Sequence, residues 1–199
     1  MTAPGILTTN TIVKDAIPKA GSDNDALMTR LCKAVSDAIN TFCNRKFEKA
    51  EYVDEVYDIL DDGNGSNVIH LKQAPIVEIT SLKDGDTVID ASDYHIDKEA
   101  RRVILKNFSF SGLRYNIKVS YKAGYIIHPA TGSDPTDLNE PKDLEEAATE
   151  WVVKIFQHQT THTQEMESMS IAGQNIVIRQ KTMPDFTGDI LERYKFVVF

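Results

Sequence analysis

Few residues of this chain stand at spacings that chemistry requires. His158 and His162 are four residues apart, a step that places two imidazoles on one helix face, and Glu165 and Glu167 follow. The HExxH pattern is absent, and a zinc site would need a third ligand that this spacing does not supply. Around DDGNGS, an EF-hand register with Asn64 at position 5 and Gly65 at position 6 puts Leu60 and Leu71 at the first and last ligand positions. Two obligatory oxygen ligands are then missing, and the segment reads as a turn. Cys32 and Cys43 fall in one helical pattern, eleven residues and so about 16 Å apart along the axis. They cannot bridge within that helix and read as small core residues. His70, His95 and His128 stand singly in strand or loop contexts. There is no GxSxG, P-loop or GxGxxG motif, and no Cys/His/Asp constellation. The residues point to no enzyme, no cofactor and no metal.

The elements that carry these residues follow from periodicity. Thr8 or Thr9 caps a short helix through about Ile17, ended by Pro18 and Gly21. Ser22 or Asp23 caps a longer one, in which Leu27, Leu31, Ala34, Val35, Ala38, Ile39 and Phe42 form an apolar stripe. Thr29, Lys33, Ser36, Asp37 and Asn40 form its polar face. From 51 to about 125 the period becomes that of strands. EYVDEVYDIL and NVIHL flank DDGNGS as a hairpin, IVEITSL and TVID flank KDGD, and DYHID and RRVIL flank KEA. RYNIKVSYKAGY alternates Tyr115, Ile117, Val119 and Tyr121 against Asn116, Lys118 and Ser120, and Gly124 ends it where a positive φ is cheap. Helical spacing returns with Pro141 in the first turn and Leu144, Ala148, Trp151, Val152, Ile155 and Phe156 along one stripe, fading near His158. Residues 160–183 are polar with one strand-like run, NIVIRQ. MPDFTGDILERYKFVVF then reads as a short helix and an apolar tail. The expected fold class is α+β: an antiparallel helical bundle with an inserted antiparallel β-sheet module. Its parts are an N-terminal helical part (1–50), the β module (51–126) and a C-terminal helical part (127–199) that folds as one unit with the first.

Composition bounds the function. With 199 residues, 41% hydrophobic and 26% charged, the chain is that of a globular protein and buries roughly 70% of its unfolded surface. No apolar run reaches about 18 residues, and MTAPGILTTN lacks the basic and apolar regions of a secretory signal, so no membrane association and a cytoplasmic origin are expected. The net charge of -8 argues against a nucleic-acid reader, which needs clustered Lys and Arg. Acid is concentrated: residues 48–72 carry two basic and seven acidic groups, and 126–199 carry six and twelve. Two solvated faces account for this pattern, and a functional acidic surface is the other reading.

Taken in order, the pieces resemble the head–tail connector (adaptor) proteins of long-tailed bacteriophages, in particular larger members with a β module inserted between helices. The motifs are the helix ending in INTFCNRKF, the segment HLKQAPIVEITSL followed by SDYHID, the run VSYKAGY, and P-x-x-L-x-x-A at Pro141, Leu144 and Ala147 opening a Trp-containing helix. MPDFTGDILERYKF is similar to that family's Pro-led short helix ending in Arg-Tyr. The first helix, TTNTIVKDAI, is weaker than the family's, and 160–183 is long and polar. The resemblance implies a structural virion component at the head–tail junction, assembled in the host cytoplasm. It implies a ring, a dodecamer by resemblance, that docks on the portal protein after DNA packaging and joins it to a neck, stopper or tail protein. DNA would pass an acidic channel without specific binding. A ring contact is heterologous and needs two different patches on each subunit.

The candidate portal or neighbour contacts are Arg193, Lys195, Phe196, Val197, Val198 and Phe199, an apolar terminal tail suited to strand addition. Closure of the subunit's own core by Phe196 and Val198 is the equal alternative. Thr163, Glu165, Met166 and Met169 form a candidate arm that orders on assembly. The runner-up function is a β-rich ligand- or carbohydrate-binding module, which exposed Tyr52, Tyr57 and Tyr94 converging on one groove would favour. A metal-dependent hydrolase around His158 and His162 is a third.

Overall fold

The computed structural model describes residues 5–17, 22–58, 60–61, 67–98, 101–106, 117–128, 138–160 and 183–196. It is an α+β fold in which Met1–Arg45 and Glu140–Phe199 form one unit and Lys46–Asn139 a second. The expected strand NIVIRQ lies outside the described residues, as does the DDGNGS turn from residue 62 to 66.

The first unit holds the helices α1 (Asn10–Ala16), α2 (Asp25–Phe42), α3 (Lys142–Thr160) and α4 (Asp185–Tyr194). Thr9 caps α1, its hydroxyl accepting the Ile12 N–H at 3.4 Å. Thr8 is wholly buried instead. The Thr149 hydroxyl donates to the Glu145 carbonyl at 2.8 Å, so at 2.7 Å the Thr8 hydroxyl is the donor to Thr149, tying the chain ahead of α1 to α3.

Helix α2 departs from expectation at its start. Ser22 and Asp23 belong to a preceding 3-10 turn, and Asn24 occupies the cap position with no side-chain cap bond. The buried stripe is also rotated, to Met28, Leu31, Cys32, Val35, Ser36 and Ile39, with Leu27, Ala34, Ala38 and Phe42 only half-buried. Ser36, expected on the polar face, can be buried because its hydroxyl is satisfied twice. It donates to the Cys32 carbonyl at 2.7 Å and accepts the Leu7 N–H at 2.9 Å. At the C-terminus Asn44 takes the left-handed conformation at φ 51°, and the Asn44 and Arg45 amides bond back to Thr41 and Asn40 at 3.2 and 3.1 Å, a Schellman closure with Asn in place of Gly.

Helix α3 packs on α1, α2 and α4, and each residue of its expected stripe is buried. Deleting a side chain of this kind from a core costs about 2–5 kcal/mol.

Among the described residues, the second unit contains two four-stranded antiparallel sheets. One is ordered β1 (Ala50–Tyr57), β8 (Ile117–Ala123), β4 (Ile76–Asp84) and β5 (Thr87–Val88). The other is ordered β2 (Leu60–Asp61), β3 (Asn67–His70), β7 (Arg102–Leu105) and β6 (Tyr94–Asp97). The hairpins across KDGD and KEA form as the sequence indicates. The first does not form at full length. Among the described residues ahead of β3, Leu60 and Asp61 alone pair with that strand, while β1 crosses to the other sheet and lies along β8. That strand buries Ile117, Val119, Tyr121 and Ala123 on one face, so its amides need a ladder on both sides, and β1 supplies the second. Inward residues of both sheets, among them Ile69, Val103 and Leu105 against Ile76, Leu82 and Val119, make one core.

At the end of β8, Gly124 has φ 112°, a conformation L side chains rarely take. A Cβ there would lie 2.5 Å from the Glu48 carbonyl oxygen and 2.7 Å from the Lys49 nitrogen. Its neighbours are backbone and cannot yield, because Lys49 N–H donates to the Tyr125 carbonyl at 2.8 Å and Tyr125 N–H to Phe47 at 2.7 Å. Gly124→Ala is therefore expected to cost about 2–4 kcal/mol through strain and displaced strand pairing. Urea unfolding followed by circular dichroism checks this, and a midpoint within error of the parent would refute it.

Candidate interaction surface

Of the tail residues singled out above, Arg193, Lys195 and Phe196 are described at the end of α4, and three elements of the first unit hold them. Asp143, in the first turn of α3, receives both Arg193 and Tyr194: the Arg193 Nη2 donates to Oδ2 at 3.1 Å and the Tyr194 hydroxyl to Oδ1 at 2.7 Å. Lys195 reaches Glu192 at 3.1 Å, and its ammonium lies 4.9 Å from the centre of the Phe42 ring. The Phe196 N–H donates to the Cys43 carbonyl at 2.8 Å, and the Cys43 thiol donates to Leu191 at 3.6 Å. The chain is thus laid against the C-terminal end of α2 as far as Phe196, which is half-buried. Val197, Val198 and Phe199 lie outside the described residues, as do Thr163, Glu165, Met166 and Met169 of the expected arm. So do His162, Glu165 and Glu167, which leaves His158, half-buried on α3, as the described member of that set. His70 and His95 are exposed on β3 and β6.

The three tyrosines that a binding groove would have used turn to the core of the second unit instead. Tyr57 is buried, and Tyr52 and Tyr94 pack against the same cluster. Tyr52 stacks on Tyr121 with ring centres 5.1 Å apart. The hydroxyls of Tyr57 and Tyr121 lie 3.0 Å apart and both donate to the same Glu55 oxygen, Tyr121 at 3.0 Å. The Lys72 amide donates to the Tyr57 hydroxyl at 3.2 Å. Burial raises both phenols well above the ordinary range, with the Glu55 carboxylate adding to the effect on Tyr57 and the neighbouring Tyr57 adding to that on Tyr121.

Glu55 reaches these hydroxyls because β1 is bulged between Tyr52 and Glu55. Asp54 sits in the bulge at φ 49°, its N–H donating to the Ser120 hydroxyl at 3.0 Å and its carboxylate accepting from that hydroxyl at 3.3 Å. The network escaped the sequence reading because strict alternation cannot reveal an extra residue. The one available signal was the pair of acids at Asp54 and Glu55 inside a strand-like run.

A cleft of about 400 Å³ lies along α3 beside Ala16 and Pro184. Its wall carries Glu146, Glu150 and Lys154 at four-residue steps, the pattern of a solvated helix face, and its one hydroxyl, Thr149, is already engaged with Thr8 and Glu145. No helix among the described residues is long and apolar enough to cross a membrane.

These units define a class: an α+β subunit in which the three tyrosines offered for a binding groove pack in or against a core, and Arg193, Lys195 and Phe196 are tethered to neighbouring elements. The sequence matches the head completion protein family over residues 6–197, and the chain belongs to that family. The resemblance to phage head–tail connectors agrees with this membership. Comparison with curated proteins by sequence gives no match. Among solved structures, a chain from the neck of an empty GTA particle computed with C6 symmetry has a similar fold. Its TM-score is 0.56 and its identity 18%, covering 100% of this chain and 95% of that one. A chain from the virion of a native gene transfer agent particle gives a TM-score of 0.48 at 16% identity over 92% and 83%.

The buried hydroxyls and thiols together set the alkaline limit of stability. Both cysteines are free, and burial pushes Cys32 up to about 11 and Cys43 to about 12 from an ordinary 9.0. The unfolded chain loses thiol protons first, near pH 9, and phenol protons near pH 10, while the folded chain keeps them. Stability is then full below about pH 8.5 and falls above it, each group contributing up to about 1.4 kcal/mol per pH unit. Urea midpoints between pH 7 and 10.5 should trace that decline, and a midpoint that rises over the range would contradict it.

Proposed function

We propose that this protein is a non-enzymatic head–tail connector of a tailed phage or phage-like particle. The observation that carries the reading is the family match, which spans all but the first five and last two residues. On this reading the protein is a helical bundle carrying an inserted antiparallel sheet module. It is a virion component at the head–tail junction, assembled in the host cytoplasm as a ring on the portal after DNA packaging, and it presents the next surface to a neck, stopper or tail protein.

The copy number taken from the resemblance is twelve. Arg193, Lys195, Phe196, Val197, Val198 and Phe199 are the contacts toward the portal or a neighbouring subunit, and Thr163, Glu165, Met166 and Met169 belong to an arm that orders on assembly. The net charge of -8 suits a channel through which DNA passes without sticking.

Light-scattering mass of the purified chain, alone and mixed with portal rings from the same genome, tests the reading. The expected outcome is a defined complex with many copies per portal, lost on removal of residues 197–199 while the circular dichroism spectrum is kept. No association at micromolar concentration, with a portal that still binds its other partners, would overturn it.

A further inference from the structure

This inference rests on the ring reading and names the two patches that a heterologous contact needs. The first patch is on the outer face of the sheet β1-β8-β4-β5. Val56 stands opposite Lys118, Lys118 opposite Lys83, and Lys83 opposite Val88, so four side chains form one row across all four strands. Both valines are exposed, Val56 at 47% and Val88 at 66%. Two lysines directly opposed across a strand pair repel, and among the described residues the acid in an ion pair with either is Asp54, 3.8 Å from Lys83 and half in solvent. The row is a cationic centre with apolar shoulders.

The second patch is its complement and lies on α4. Glu192, Asp185, Asp189, Arg193 and Phe186 follow one another around the exposed arc of that helix, all of them solvent-facing. Phe186 is 54% exposed, while Thr187, Ile190 and Leu191 on the opposite arc are buried. Arg193 is tied to Asp143 and Lys195 to Glu192, pairs that do not include Asp185 or Asp189. Asp185 and Asp189 are one helical turn apart, roughly 6 Å. Opposed residues on neighbouring strands are separated by roughly 5 Å. The two aspartate positions therefore match the two lysine positions in sign and in spacing, with an aromatic ring alongside to cover the lysine stems.

We propose that, between copies of this chain, α4 of one subunit docks on the outer sheet face of the next. Phe186 lies on the alkyl stems of Lys83 and Lys118 between Val56 and Val88, and Asp185 and Asp189 face the two ammonium groups. The contact joins unlike patches, so each added copy leaves one of each patch open and the array continues until it closes.

Charge exchange tests this. The variants are Lys83→Glu with Lys118→Glu, Asp185→Lys with Asp189→Lys, and all four together, each checked for a parental circular dichroism spectrum. Copies bound per portal ring are measured by light scattering. Each double variant should need at least tenfold more protein to reach half-assembly. The quadruple variant, and an equimolar mixture of the two doubles, should recover assembly, because opposite charges then meet again at every contact.

A second readout does not depend on charge. Val88→Cys combined with Phe186→Cys, oxidised during assembly, should give covalent species beyond the dimer, while either cysteine alone should give none; the native thiols are both buried. A parent that assembles on the portal together with double variants that assemble equally well would overturn this contact and leave the connector reading standing. A ladder that stops at the dimer would also overturn it. A parent that never associates with the portal or with itself would remove both.

Discussion

The sheet unit depends on how closely the chain passes itself at Gly124. There the backbone of β8 runs so near Glu48 and Lys49 that no side chain fits between them, and amides on each strand are spent on the other. Because that approach is fixed, β1 is delivered alongside β8 and not folded back on β3. The same delivery sets the register in which Tyr121 meets Tyr52 and Val119 meets Glu55. One residue without a side chain thus decides which sheet a whole strand joins.

Two kinds of signal carried the sequence reading. Periodicity located α3 and α4, and the turns KDGD and KEA located the pairs β4–β5 and β6–β7, because those hairpins are local. Amphipathic spacing placed α2 but misjudged its buried face, since an apolar scale cannot register that the Ser36 hydroxyl is satisfied by Leu7 and Cys32. Long-range pairing was illegible: nothing in EYVDEVYDIL says that 51–57 and 60–61 enter different sheets. The bulge at Asp54 was hidden for the same reason, and with it the Glu55 carboxylate that gathers two buried phenols.

The surface followed a similar division. Arg193, Lys195 and Phe196 could be named from their position at the chain end, yet their tethers to Asp143, Glu192 and Cys43 come from residues up to some 150 positions away. The cross-strand row Val56, Lys118, Lys83 and Val88 was invisible in sequence because its members come from four separate strands. Charge totals gave the acidity of the chain without its arrangement, in which Lys83 and Lys118 stand opposed on one sheet face and Asp185 and Asp189 lie on one helix arc.

The Phe196 to Cys43 hydrogen bond has a mechanical side. With the Phe196 amide on Cys43, Lys195 on Glu192 and the Phe42 ring, and Tyr194 and Arg193 both hooked on Asp143 just behind, this segment resists tension in series. A pull transmitted through Phe196 loads its amide first, then the Lys195 contacts and the grip of Asp143 on α3, and only afterwards the buried face of α4. The outer links can give way one at a time while the helices stay packed, which makes the segment from Arg193 to Phe196 a graded tether and not a rigid strut.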